Sequence, residues 1–272
     1  MKPHFGAAPD KRRGQHFLVD ANILRKIVDF ASVGKDEDVL EIGGGPGNLT
    51  ELLAKKARRV YSIEVDTSLA MLLEERFKNS NVTIIRGNAL KVDFPEFDKV
   101  VANLPYSISS DVTFKLLKHD FKLGILMYQR EFALRMVARA GEPDYSRLSV
   151  DVQHFADVEL LMRVPPQAFA PPPQVESEVV KLTPRPAPYT VEDRELFMRL
   201  VTASFAGRRK RLRNALLKGA HIMGIKNMKE IVARLPREIT EKRAEEVSPE
   251  QYAELADQIY GLVDHERSNI QG

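Results

Sequence analysis

From Asp38 to Tyr128 the chain alternates short, nearly continuous apolar runs with stretches whose apolar residues recur every three or four positions. Runs of the first kind read as strands buried on both faces and stretches of the second kind as amphipathic helices, so the pattern implies a parallel sheet covered by helices on both sides. Strands are expected over residues 38–42, 59–64, 82–85, 99–102 and 123–128, with a further one over 158–164. Helices are expected over 49–56, 68–78, 110–118 and 130–138, after a first helix over 23–31 that Asp20 caps.

Two proline clusters interrupt this pattern. The first holds Pro165, Pro166, Pro171, Pro172 and Pro173; the second holds Pro184, Pro186 and Pro188 and reads as a linker. Beyond it the signals are helical only, over 190–206, 209–220, 227–235, 240–246 and 249–262. The last of these has Ser248 as N-cap, Pro249 at its first position and Gln251 three residues after the cap, which together satisfy donors a helix start leaves orphaned. The expected organisation is an α/β domain over 1–186 and a small all-helical domain over 187–272.

Composition narrows the function classes. The 272 residues contain no cysteine, which excludes disulfides, thiolate metal sites and thiol nucleophiles. No apolar stretch is long enough to span a bilayer, and the polar start, broken by Pro3 and Pro9, is unlike a secretory signal, so a cytoplasmic, membrane-free protein is expected, with a monomer as the default. The formal net charge of +3 permits nucleic-acid binding without arguing for it. His16, His119, His154 and His221 fall in different elements without metal-ligand spacing, so no metal is expected.

The first strand runs into Gly43, Gly44, Gly45, Pro46, Gly47 and Asn48 before the next helix. Glycines there let the backbone turn sharply and approach a ligand. A dinucleotide fingerprint wants a different spacing, GxGxxG; Gly47 comes one place early and Asn48 stands sixth, so pyrophosphate binding is disfavoured. At the end of the second strand Glu64, followed by Val65, lies where a ribose diol can be gripped; the bland alternative is a solvated strand-end acid. After the third, Asn88 in the segment Gly87, Asn88, Ala89, Leu90 can hydrogen-bond an adenine, or can simply be a turn asparagine.

The fourth strand delivers Asn103, Leu104, Pro105 and Tyr106 to the carboxyl edge of the sheet, where open α/β folds bind ligands. The Asn103 carboxamide oxygen and a main-chain carbonyl of the Leu104–Pro105 turn can both accept hydrogen bonds from an –NH2 group, orienting its lone pair for attack on a methyl. Tyr106 offers an aromatic face on which a purine can stack. A base reached this way must be flipped out of a helix or already unpaired. In the C-terminal region Arg208, Arg209, Lys210, Arg211, Arg213 and Lys218 fall in a stretch without acids and are expected to wrap a helix surface with charge, giving salt-sensitive affinity for phosphates; the alternative is an ordinary solvated helix. Lys11, Arg12 and Arg13 offer a second basic contact.

These motifs, in this order, resemble the ribosomal RNA adenine N6,N6-dimethyltransferase family, the KsgA type with its archaeal and eukaryotic relatives. Gly14, Gln15, His16, Phe17 and Leu18 resemble the family's GQNFL segment, and Phe169 through Ser177 its FxPxPxVxS segment. The resemblance implies a Rossmann-like methyltransferase sheet and S-adenosylmethionine as cofactor. It implies cofactor contacts at His16, Leu18, Gly43, Gly45, Glu64, Val65, Asn88, Ala89 and Asn103, with Tyr106 and Phe169 bracketing the target adenine. His16 stands where Asn is usual and Asn88 where Asp is usual, which leaves the hydrogen-bond polarity toward the cofactor open. The implied substrate is a pair of adjacent adenosines in a hairpin near the 3′ end of small-subunit ribosomal RNA, each receiving two methyl groups, and the implied partner is the immature small subunit. Rival readings are a large-subunit ribosomal RNA methyltransferase, a binding factor that uses the fold in ribosome assembly or transcription without turnover, and a nicotinamide oxidoreductase.

Overall fold

The computed structural model describes residues 15–271. The described residues form two compact units, one of residues 15–133 and 157–184, the other of residues 134–156 and 185–271. This departs from the expected single boundary after residue 186. The segment 134–156 joins the helical unit because Tyr145 and Val150 are fully buried in that unit's core, beside Phe197, Leu200 and Tyr252.

The first unit is built on a seven-stranded sheet in the order β4-β3-β2-β5-β6-β9-β7. Its strands are β2 (Asp38–Ile42), β3 (Arg59–Glu64), β4 (Val82–Arg86), β5 (Lys99–Asn103), β6 (Leu123–Gln129), β7 (Ala156–Val164) and β9 (Ser177–Pro184). A short pair outside the sheet joins β1 (Phe17–Leu18) to β8 (Phe169–Ala170). The five strands from β4 to β6 are parallel, and β9 runs antiparallel to β6. The chain leaves β2 toward β3 on one side and returns to β5 on the other. Between β2 and β5 the carboxyl ends of neighbouring strands therefore diverge, the crevice in which open α/β sheets bind ligands.

Helices α1 (Ala21–Ala31), α2 (Asn48–Ala54), α3 (Thr67–Arg76) and α4 (Ser109–Leu116) connect these strands, and α5 (Arg130–Val137) follows β6. Asp20 caps α1 by accepting from the Asn22 and Ile23 amides at 2.8 and 3.1 Å, a contribution of about 1 kcal/mol. Leu24, Ile27, Val28 and Ala31 form its buried stripe, as their spacing requires. Asp66 caps α3 in the same way, so the residue two places beyond Glu64 fixes where that helix starts.

The second unit contains α6 (Arg147–Phe155), α7 (Arg194–Phe205), α8 (Leu212–Lys218), α9 (Ala220–Met223), α10 (Met228–Arg234), α11 (Arg237–Thr240) and α12 (Pro249–Gln271). Ser248 and Gln251 form the expected reciprocal cap of α12, the Gln251 amide donating to Ser248 Oγ at 3.3 Å and the Ser248 amide to Gln251 Oε1 at 3.2 Å. Two expectations fail here. The helix expected over 240–246 is two short turns, and the one expected over 209–220 begins only at Leu212. Leu212 N–H donates to the Lys242 carbonyl at 2.7 Å, a tie from outside the segment that local spacing does not reveal.

Candidate functional site

A cavity of about 400 Å³ opens at the crevice between β2 and β5. The loop after β2 forms its floor. Gly43 and Gly45 both have positive φ, +80° and +54°, and a Cβ on Gly45 would stand 3.2 Å from the Phe17 ring, so the turn admits only glycine there without a shift. Gly43 N–H donates to the Ile63 carbonyl at 2.8 Å, stitching the loop to the end of β3.

Glu64 terminates β3 and is 5% exposed. Its Oε2 accepts from the Gly45 amide at 2.9 Å and its Oε1 from the Asp66 amide at 2.8 Å, so both carboxylate oxygens are fixed by backbone and each keeps a lone pair. Burial raises the Glu64 pKa, against the lowering effect of these bonds. Val65 beside it lines the cavity yet is 54% exposed, an apolar side chain at the mouth that a flat ring would cover. Ala89 also lines the cavity and is buried.

Asn88 also lines the cavity, but its Oδ1 accepts from the Leu90 amide at 2.9 Å and its carbonyl from the Lys91 and Val92 amides. Its Oδ1 keeps one lone pair and its Nδ2 stays free to donate, so relative to an Asp the side chain adds a donor beside the remaining acceptor.

Asn103, the last residue of β5, donates from Nδ2 to the His16 carbonyl at 3.2 Å, which leaves Oδ1 as the carboxamide acceptor. The Pro105 carbonyl takes the Ile108 amide at 3.1 Å, whereas among the described residues nothing donates to that of Leu104. Tyr106 donates or accepts with Ser177 Oγ at 2.6 Å, which anchors its ring, and burial raises its phenol pKa against the lowering effect of that bond. The His16 imidazole lies roughly parallel to that ring at 6.1 Å between centroids, its Nδ1–H donating to the Pro171 carbonyl at 2.9 Å.

Two expected site residues lie elsewhere. Leu18 and Phe169 pair across the β1–β8 ladder, are 5% and 3% exposed, and belong to the core of the first unit instead of the cavity wall. Their side chains are large and apolar, and the ladder turns them into the core behind the wall. The Leu18 main chain still contributes, its carbonyl accepting from Asn48 Nδ2 at 3.0 Å.

The sequence reading missed the support beneath the glycine loop. Glu41 is 1% exposed, and its Oε2 accepts from Thr50 Oγ1 at 2.6 Å and Ser62 Oγ at 2.8 Å. Burial, opposed by these hydroxyls and aided by nearby Glu64, pushes its carboxyl up to about 7. An acid between Leu40 and Ile42 in a strand buried along its whole length was the available signal.

The basic segment of the second unit differs from expectation. Arg208, Arg209, Lys210 and Arg211 precede α8 in a turn, so they do not wrap a helix. Acids distant in sequence reach them: Arg208 pairs with Glu245 at 2.8 Å, Arg213 with Glu241 at 2.7 Å, and Arg211 also with Glu241. Among the described residues Arg209, Lys210 and Lys218 are the cations of this segment without an acidic partner. Lys11, Arg12 and Arg13 lie outside the described residues.

The donor set fits S-adenosylmethionine. Glu64 presents acceptors for a ribose diol, Val65 an uncovered apolar surface for an adenine, Asn88 a donor, and Gly43 and Gly45 a backbone without side chains for the remainder. Among the described residues no cluster of His, Cys, Asp and Glu suits a metal ion, and no helix is long and apolar enough to cross a membrane.

Comparison with known proteins agrees. Residues 9–259 match the family described as "Ribosomal RNA adenine dimethylase". A Methanosarcina barkeri protein named "Probable ribosomal RNA small subunit methyltransferase A" is 56% identical over 249 residues, 91% of this chain and 87% of its own. A solved dimethyladenosine transferase from Plasmodium falciparum is similar with a TM-score of 0.77 and 32% identity, over 88% of this chain and 96% of that one. The 23S rRNA methyltransferase ErmE follows with a TM-score of 0.66 and 26% identity, over 90% and 99%.

Proposed function

The chain belongs to the ribosomal RNA adenine dimethylase family, and from that premise we propose which adenines it modifies and how its residues share the work. It is an S-adenosylmethionine-dependent methyltransferase acting on adenine in small-subunit ribosomal RNA. Its targets are two adjacent adenosines in the 3′-terminal hairpin, each methylated twice at the exocyclic amine. It acts as a cytoplasmic monomer on the immature small subunit, as part of small-subunit biogenesis.

When bound, the cofactor supplies a methyl group activated on a sulfonium, with a neutral leaving group. Glu64 binds its ribose diol, and Val65, Ala89 and Asn88 its adenine. Asn103 Oδ1 and the Leu104 carbonyl accept from the target amine and draw its lone pair out of conjugation, which positions it for attack. Tyr106 stacks on the flipped base, a contact worth about 1–3 kcal/mol. No side-chain base is needed, because the methylated amine loses its proton to water. Arg209 and Lys210 hold the RNA by its phosphates; Arg208, Arg211 and Arg213 shape the turn that presents them.

The observation that carries this reading is the Asn103 carboxamide, fixed through Nδ2 by the His16 carbonyl with its acceptor left for an amine. The similarity to ErmE keeps large-subunit RNA as the second reading. Offering undermethylated small and large subunits in competition, then mapping modified nucleotides, separates the two. Dimethyladenosine confined to the 3′-terminal hairpin of the small-subunit RNA is the expected result; modification of the large-subunit RNA would replace it with the second reading.

A further inference from the structure

Two of the walls of the cavity come from loops that are separate in sequence, residues 87–89 at the start of the 87–92 loop after β4 and residues 103–108 before α4. One side chain joins them. Lys115, two turns along α4, donates from Nζ to the Ala89 carbonyl at 2.9 Å and also to the Val92 carbonyl. Its ammonium stands 4.1 Å from the centroid of the Phe94 ring, which covers it. No carboxylate takes part in these contacts. The charge is held by two backbone carbonyls and an aromatic face, each of which favours an ammonium in a half-buried place.

The position gives the contact a consequence. Asn88 and Ala89 line the cavity, and their loop is closed from within by the Asn88 side chain and carbonyl. Those bonds fix the loop's shape. Its place against the rest of the unit is set at its start by Gly87 N–H, which donates to the Glu64 carbonyl at 2.9 Å, and further along by Lys115, on the helix that directly follows Asn103 through Ile108. The geometry points to Lys115 as a positioning residue that ties the adenine-binding loop to the helix behind the target-base loop, so that both walls are held at one separation before cofactor binds. This inference rests on the assignment of the cavity to S-adenosylmethionine.

Removing the ammonium frees the 87–92 loop, and ordering it again on binding weakens the cofactor complex. The effect belongs to binding rather than to the chemical step, because Asn103 and Tyr106 keep their own bonds to the His16 carbonyl and Ser177. Calorimetric titration with S-adenosylhomocysteine, and steady-state kinetics on undermethylated small subunits, provide two readouts. Lys115→Met is expected to weaken binding about ten-fold, the equivalent of one charge-assisted hydrogen bond, and to raise the KM for S-adenosylmethionine equally. Its kcat at saturating cofactor should stay within about two-fold of wild type. Lys115→Arg, which keeps the charge and the donors, is expected to recover most of the affinity. Phe94→Leu, which leaves the donors in place, serves if Lys115→Met does not fold, and should weaken binding by a smaller factor. A Lys115→Met protein that binds S-adenosylhomocysteine as tightly as wild type overturns the inference alone. So does one whose kcat falls while its KM is unchanged. Wild-type protein that binds neither ligand overturns the cofactor assignment and the inference together.

Discussion

On the function proposed above, Asn103 and Tyr106 divide the handling of the target base between them. Asn103→Ala removes the carboxamide acceptor without opening the core, and should lower methyl transfer on the order of a hundred- to a thousand-fold while RNA binding, measured by filter retention, stays at the wild-type level. Tyr106→Phe loses only the bond to Ser177 and should keep most activity. Tyr106→Ala loses the stacking face and should fall about ten- to a hundred-fold, seen mainly in the KM for RNA. Glu41 gives a prediction of another kind. Its carboxyl is raised by burial from 4.5 to about 7, so between those values the folded protein holds a proton that the unfolded chain has released. The stability this supports is fully present below about 4.5 and is lost as pH rises through 7. Glu41→Gln stays neutral throughout, so its Tm relative to wild type should rise by a few degrees across that window. A constant difference would show that Glu41 ionises in the fold as it does in the unfolded chain. The places of Glu64 and Asn103 at the cavity were legible because an acid and an amide at strand ends have few structural uses. The bond that ties Asn88 Oδ1 to the Leu90 amide was not, since it depends on one turn closing.

Elements show where local sequence stops being informative. The parallel strands of the sheet were readable to within a residue or so because strands buried on both faces leave nearly unbroken apolar runs, as in β6. Strand β9 was hidden behind the proline cluster, and α6 behind a segment whose apolar positions serve the core of the second unit. The basic turn before α8 is the sharpest case. Within its own segment it has no acid, yet Glu241 and Glu245 fold back on Arg208 and Arg211 of the turn and on Arg213 in α8. Only Arg209 and Lys210 of the turn then remain to neutralise phosphates. The double variant Arg209→Ala/Lys210→Ala should reduce the salt dependence of RNA binding, the slope of log K against log salt concentration, by roughly one unit per residue. Arg211→Ala should leave that slope unchanged and lower Tm instead, because it strips a partner from Glu241. Equal slopes for the two variants would contradict the division.

At the scale of the whole molecule, the proposed function draws on the cavity of the first unit for cofactor and target amine and on the basic turn of the second for phosphate. The two-unit organisation was visible in the change from alternating to all-helical signals. The discontinuous course of the chain, which leaves the first unit inside α5 and returns at β7, was not, because only long-range packing assigns residues 134–156 to the second core. The most direct test compares wild type and Asn103→Ala on purified undermethylated small subunits with labelled S-adenosylmethionine, counting methyl groups per subunit and identifying the modified nucleosides. The account predicts two methyl groups on each of two adjacent adenosines for wild type and almost none for the variant. Methyl transfer by the variant at the wild-type rate, or none by a wild-type protein that binds both cofactor and subunit, would contradict it.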